Sequence, residues 1–418
     1  MDETTVRGLL EIALGDEPPI GPVARNSLLA GIRLRRRART RRAVGGAAAV
    51  AVVAAVIPAA TGVFGNTAAG PRTGAQFSVP KVPSVPTGTA YVINSGGGTV
   101  TPIDLATNTA RKPIDVSGEP VALTAAPDGK TAYVVSGATG SGSGPSSDQT
   151  VTPIDLTTNT AGKPIILTNP ADAIAIAPDG RTGYVSNGFP SRTVTRIDLV
   201  TNKPGKPIVL NEPPDGIVMA PNGAAYVTIT KSVGSPASIN DNRYYFVAFD
   251  LATGKLGKRV KLNSGEPESI AVAPDGKTAY VVSQSASTVI TVTPIDLTTL
   301  KTGKLINFST KPWPKAYHGQ PLAIAVAPDG ATAYVTNGIS STVTPIDLAT
   351  GALGKPISLS GKPGGDAIAI SSNGAAAYVA NQPSSTVTPI DLNSNRAEKP
   401  IKIGSGWDSG FEAIVTVP

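Results

Sequence analysis

Carboxylates are the groups in this chain whose type and spacing suggest chemistry. Six residues before each Pro-Asp-Gly turn, or before the residue standing in for its Pro, lie Val121, Asp172, Asp215, Glu268, Leu322, Asp366 and Glu412. Five of these seven positions are acidic. If the seven positions converge, their carboxylates concentrate negative potential and attract cations or basic groups. Hard cations such as Ca²⁺ take oxygen ligands of this kind. The other arrangement open to them is local, each acid capping backbone N–H groups of the adjoining loop. A pair of carboxylates works as acid and base only where its surroundings split the two pKa values.

Other catalytic groups are scarce. The chain has no Cys and one His, which excludes disulfides, thiolate metal sites and thiol nucleophiles. Any Ser-His-Asp scheme would have to use His318, in the Pro-rich run "KPWPKAYHGQP". No P-loop or dinucleotide fingerprint precedes a helix. No catalytic residue is therefore assigned and no cofactor is expected, with a divalent cation at the acidic positions as the alternative. The aromatic residues Phe189, Tyr244, Tyr245, Trp313, Tyr317, Trp407 and Phe411 fall in irregular segments, as does His318. Clustered Trp and Tyr suit partners with flat apolar faces, sugars included; otherwise such rings pack loops onto the scaffold.

These residues need a frame that brings distant chain positions together, and the repeats supply it. Tyrosines at Tyr91, Tyr133, Tyr184, Tyr226, Tyr280, Tyr334 and Tyr378 each sit in a short β-rich run. A further run follows each one and ends at Asp104, Asp155, Asp198, Asp250, Asp296, Asp347 or Asp391. Self-similarity at about 40 to 55 residues, built from short apolar strands and Gly/Pro turns, marks a propeller or solenoid. Within one unit, "LAIAVAPDG" ends in a turn whose Pro sets φ and whose Gly accepts positive φ. "TAYVTN", "STVTPIDL" and an outermost "KPISL" complete four antiparallel strands.

The first unit lacks the inner strand, and "EAIVTVP" from Glu412 to Pro418 has its pattern. The expected fold is all-β: a seven-bladed propeller over residues 89–418, with the C-terminal strand closing the first blade. Closure pairs two free sheet edges; an open solenoid would want polar capping repeats. Connectivity puts the Pro-Asp-Gly and Asp-Leu turns at one end of the blades. The acidic positions lie at the other, where the inner strands begin. The irregular segments Gly137–Gln149, Thr228–Tyr245 and Ser309–Pro321 are expected at that same top end, where loops on a rigid scaffold bind. Asn94, Asn187, Asn337, Asn381 and the seven Asp of the Asp-Leu turns are expected only to stabilise turns.

"AYVTN" at Ala333 to Asn337, followed by "TVTPIDLATG", resembles the YVTN-type β-propeller repeat family, and the likeness spans Thr89 to Pro418. It implies a surface-layer, periplasmic or other extracytoplasmic protein. "AYVTIT" at Tyr226 and "YYFVAFDL" after it depart from the pattern, which argues against a uniform, symmetric binding surface.

Ahead of the repeats, residues 43–65 are uncharged and rich in Ala, Val and Gly, long enough for a membrane span. Arg33, Arg35, Arg36, Arg37, Arg39, Arg41 and Arg42 precede them. Positive residues stay cytoplasmic, so the propeller is expected outside, on a single N-terminal transmembrane helix. The alternative is a cleaved signal: "TRRAVGG" resembles a twin-arginine signal, and "PAATG" offers small residues for cleavage. Residues 1–42 make a basic leader and residues 66–88 a Pro/Gly-rich spacer. Of the net charge of +7, residues 1–65 carry +4 and residues 66–418 carry +3. The folded part is near balance, so nucleic acid is not the expected partner. The expected function is a monomeric, membrane-anchored scaffold that binds an envelope protein or glycan through its top face. The alternative is a lactonase-like or other hydrolase acting at the channel mouth.

Overall fold

The computed structural model describes residues 88–418 except 117, 138–148, 189–190, 232–242, 263–264, 285–289, 309–322, 339, 360–366, 382–383 and 404–412. The leader, the apolar segment 43–65 and nearly all of the spacer lie outside the described residues. No helix among the described residues is long and apolar enough to cross a membrane.

Seven antiparallel sheets form a seven-bladed propeller. The inner strands are Glu119–Ala125, Ala173–Ile176, Pro214–Met219, Glu266–Val272, Ile324–Val326, Ala367–Ile370 and, for the first blade, Ile414–Val417. That last strand pairs with Thr89–Asn94, matching Val417 to Thr89 and Ile414 to Val92. The closure expected from the missing strand is present. Pro418 also keeps the frame of the repeat: it lies against Gly129 as Pro127 lies against Gly180 and Pro178 against Gly223.

The core is not a single mass. It consists of seven hydrophobic clusters, each spanning the joint between two adjacent blades. The joint between the last and first blades is filled like the others, by Ala367, Ala369 and Tyr378 against Ala90, Val92, Leu105 and Ile414. Strand alternation sends successive side chains to opposite faces, so each sheet serves two joints. The repeat tyrosines are all buried, as expected of core residues, and some also bond outward. Tyr91 Oη donates to Asn159 Oδ1 in the next blade at 2.7 Å. Tyr378 Oη donates across the closing joint, to Leu105 O at 3.2 Å and to Asn108 Oδ1 at 3.0 Å.

The turn aspartates, Asn94 and Asn337 behave as expected, whereas Asn187 and Asn381 bond hydroxyls of the following strand, those of Thr195 and Thr388. In the Asp-Leu turns, Asp155 Oδ1 accepts from Thr157 N at 2.7 Å and Thr158 N at 3.1 Å. Asp198, Asp250 and Asp296 accept equivalent pairs. Asn94 Oδ1 accepts from Gly97 N and Asn337 Oδ1 from Ser340 N.

The outermost strand differs from the expected single "KPISL" segment. In five blades two short pieces pair with the same third strand, as Thr109–Ala110 and Ile114–Asp115 do with Thr99–Asp104. Pro113, Pro164, Pro207 and Pro400 fall in four of these breaks, and Pro356 stands just before the short outer strand of blade six, Ile357–Ser358; Pro has no N–H to give a ladder and belongs at edges. Blade four has the longest outer strand, Leu256–Leu262, which pairs along its length with one register shift opposite Ala248.

Candidate functional site

In blades two, four and five this position of the repeat is a β-bulge. In blade four the register skips from Pro214 to Gly216, leaving Asp215 unpaired. In blade five it skips from Pro267 to Ser269, leaving Glu268 unpaired. Blade two bulges identically around Val121, between Pro120 and Ala122. A bulge bends the strand and re-aims the extra side chain. Its cause is local: Pro120, Pro214 and Pro267 each precede the bulged residue. That Pro-x step is visible in the sequence and is the local signal for the bulge. Glu266, two residues before Glu268, also belongs to the site and was missed.

Four carboxyl groups therefore collect where the inner strands of blades three, four and five begin. Asp172 Oδ2 accepts from Gly188 N at 2.7 Å. Gly188 has no room for a side chain, because a Cβ there would run into the Asp172 carboxylate and approach Pro214 O. Asp215 Oδ2 accepts from Thr230 Oγ1 at 2.7 Å. Among the described residues, Glu266 and Glu268 have neither a hydrogen-bond donor nor a cation as partner.

Loss of water around the carboxyl ends dominates their titration. Burial pushes the Asp172 pKa up to about 6 against the opposing Gly188 bond. Burial raises Asp215 to about 7, its Thr230 bond opposing and the charges of Glu266 and Asp172 adding to the rise. Burial raises Glu266 to about 7. Burial and then the Glu266 charge raise Glu268 to about 8. The pKa splitting that acid–base work requires is present. Capping accounts for part of Asp172 and for none of Glu268.

Asp366 and Glu412 lie outside the described residues, so the acidic ring is described only over three neighbouring blades. No group of three acidic or His side chains among the described residues is placed to hold a metal ion. Trp313, Tyr317, His318 and Trp407 also lie outside the described residues. Tyr244 and Tyr245 do not sit in a loop as expected; they belong to the strand Arg243–Phe249. Their rings are half-buried on opposite faces, Tyr244 against the joint with blade five and Tyr245 against the joint with blade three. The Arg259 guanidinium lies over the Tyr245 ring, 5.8 Å from its centroid. The ladder from Ala225 to Lys231 continues through them, which is why an apparent insertion is mostly strand. At the opposite end of blade two, a shallow cleft of about 330 Å³ is lined by Lys130, Pro153, Asp155 and Thr157. Its carboxylate is already committed to a turn, so the bulged acids are the better candidate.

A family model described as lactonase, 7-bladed beta-propeller, matches residues 243–398. This stretch runs from the third strand of blade four through most of blade seven and includes Glu266 and Glu268. No curated protein matches the chain significantly. Among solved structures, the chain is similar to a hydrazine synthase structure from Kuenenia stuttgartiensis, with TM-score 0.59, 20% identity, and coverage of 77% of this chain and 99% of that one. It is similar to the periplasmic gluconolactonase of Pseudomonas aeruginosa, with TM-score 0.57, 20% identity, and coverage of 79% and 99%. It is also similar to a dihydro-heme d1 dehydrogenase, with TM-score 0.52, 17% identity, and coverage of 79% and 67%. Likeness at this level of identity establishes the propeller fold.

Proposed function

We propose that the protein is a lactonase-like hydrolase working at the channel mouth of blades three to five. The observation that carries this reading is the set of four desolvated carboxyls with separated pKa values, two of them on β-bulges. The lactonase family model over residues 243–398 supports it. Asp172, with a pKa of about 6, is mostly ionised at neutral pH and takes the proton of the attacking water. That water forms a bond to the carbonyl carbon of a cyclic ester. Glu268, with a pKa of about 8, is mostly protonated and hands its proton to the departing alkoxide as the ring C–O bond breaks. Burial, and then the charge of Glu266, hold Glu268 in its acid form. The product is an open hydroxy acid, and the proton taken by Asp172 returns to Glu268 through solvent.

The test is a pH-stat assay of the full chain on a panel of sugar and aliphatic lactones. Turnover should follow a bell in pH bounded near about 6 and about 8. Asp172→Asn and Glu268→Gln should each abolish it. Absence of turnover across the panel, or turnover indifferent to both substitutions, sinks the proposal.

The lack of a cation beside Glu266 and Glu268 among the described residues favours a second reading, a binding scaffold for a basic or metal-carrying envelope partner or a glycan. Trp313, Tyr317, His318 and Trp407, expected from the sequence at the same end of the propeller, would then flank the contact. A thermal shift with Ca²⁺ or a polyamine, without lactone turnover, supports this reading over the first. Under either reading we place the propeller outside the cell, anchored by residues 43–65 or secreted after cleavage; the resemblance of its repeats to the YVTN type supports that placement. Protease added to intact spheroplasts should digest the propeller and spare the leader. A mature N-terminus near Thr61 would replace the anchor by a cleaved signal.

A further inference from the structure

We propose that the outer edge of blade four is a docking strand for an acidic, extended peptide segment of a partner protein. Outermost strands carry unpaired N–H and C=O groups and pair readily with other chains unless they are guarded. Five blades guard theirs with a Lys-Pro step, which breaks the outer strand at Pro113, Pro164, Pro207 and Pro400 and precedes it at Pro356. Blade five has Leu305 at that position, yet its outer strand is still broken, into Lys301–Thr302 and Ile306–Phe308. Blade four has Arg259 there, and its strand runs as one segment of 7 residues, Leu256–Leu262, with a register shift only at Gly257 and Lys258, opposite Ala248. It pairs with Arg243–Phe249 on one side, and nothing among the described residues pairs with its other edge.

The charge on this strand selects the occupant. Lys255, Lys258, Arg259 and Lys261 are all exposed, and no acid occurs from Lys255 to Leu262. Glu212 reaches Arg259 Nη1 at 2.7 Å and Lys231 Nζ at 3.6 Å, which leaves Lys255 and Lys261 without an ion pair among the described residues. A second copy of this strand would set like charges opposite one another, which is unfavourable in a sheet. The chain's own spacer offers only Arg72 and Lys81 and no acid from residue 66 to 88. An acidic segment in β conformation satisfies both the open ladder and the cations: backbone bonds give affinity and the alternating side chains give selectivity.

The probe is a short fluorescent peptide alternating Glu with Val, with a Lys-Val counterpart as control, titrated into the full chain. The Glu-Val peptide should bind, bind less well as salt rises, and slow amide exchange across Leu256–Leu262. Arg259→Pro restores the guard present in five other blades and should weaken binding by about tenfold or more. Lys255→Glu with Lys261→Glu leaves the backbone and the Glu212 pairs alone and should do the same while keeping the parent melting curve. Equal binding of the Lys-Val peptide overturns the proposal, as does protection outside blade four or full binding by the charge-reversed variant. Two further results count against it: a chain that is already dimeric with Leu256–Leu262 protected, and single-stranded DNA competing with the peptide while exchange in the strand stays fast. This edge is remote in function from the carboxyl site, so its test is independent of lactone turnover.

Discussion

Glu268 stands where the inner strand of blade five breaks step with its neighbour, and its carboxyl has no compensating partner among the described residues. Its pKa of about 8 has a thermodynamic consequence. The folded state holds this proton more tightly than the unfolded chain, so the stability it adds is full at acid pH and is lost as pH rises through about 8. Asp172 and Asp215 act in the same direction as pH passes about 6 and about 7. The aspartates of the Asp-Leu turns oppose them. Backbone donors hold Asp155, Asp198, Asp250 and Asp296 below the usual carboxylate range, so their contribution is lost only as pH falls through that lowered range. The melting temperature should therefore peak on the acid side of neutrality and decline toward about pH 9. Glu268→Gln should flatten that decline and stabilise the protein at the alkaline end by about 1–2 kcal/mol. Calorimetry across pH checks this, and destabilisation at every pH would mean that Glu268 is a structural cap.

Leu300 gives a second prediction at the same scale. The fourth residue after each Asp-Leu aspartate is left-handed: Asn108, Asn159, Asn202, Gly254, Leu300, Gly351 and Asn395, with φ from 51° to 72°. Asn and Gly tolerate this region, whereas a larger side chain is strained by about 1–2 kcal/mol. Leu300→Asn should raise the melting temperature, the relief of strain exceeding the loss of a partly buried contact with the neighbouring core. A lower melting temperature would show that the contact dominates.

At the scale of elements, the hydroxyls of Tyr91, Tyr226 and Tyr378 each tie one blade to the next. Tyr378 does so at the closing joint, through Leu105 O and Asn108 Oδ1. Asn108 Nδ2 in turn donates to Glu398 Oε2 at 2.9 Å, a second link between the first and last blades. Removing a buried hydroxyl from a satisfied pair costs about 1 kcal/mol. Tyr378→Phe should lower the unfolding free energy by about that amount. Tyr184→Phe should cost little, since the Tyr184 hydroxyl has no hydrogen-bond partner among the described residues. Equal effects in denaturant titrations would deny the hydroxyl link any special role.

For the whole molecule, stability depends on a closed circuit of seven joints. The strand Ile414–Val417 supplies Ile414, Val415 and Val417 to cores on both of its faces. Each such side chain contributes about 1.5–3 kcal/mol on burial, and domains as a rule keep only about 5–15 kcal/mol in total. Deleting Ala413 to Pro418 should therefore abolish soluble folded protein or lower the melting temperature severely. An unchanged melt after the deletion is incompatible with a closed ring.

Much of this architecture was legible in the residues because its causes are local. Alternation in "TVTPID", the Pro-Asp-Gly turns and the Asp-Leu turns each involve neighbours a few positions apart, and repetition multiplied weak signals sevenfold. Closure was legible too, since the first unit lacks the inner strand that the C-terminus supplies. The bulges were written in Pro120, Pro214 and Pro267. Their consequence was not, because desolvation of Glu268 depends on what packs around the start of its strand. Tyr244 and Tyr245 looked like loop aromatics until pairing with Ala225–Lys231 carried the ladder through them. Missing Pro at Arg259 and Leu305 marked two outer strands alike, yet only that of blade four forms one 7-residue strand. Local chemistry determined the strands, turns and their count. Burial, strand continuity and the gathering of carboxyls were decided by tertiary contacts, because each depends on groups far apart in the chain.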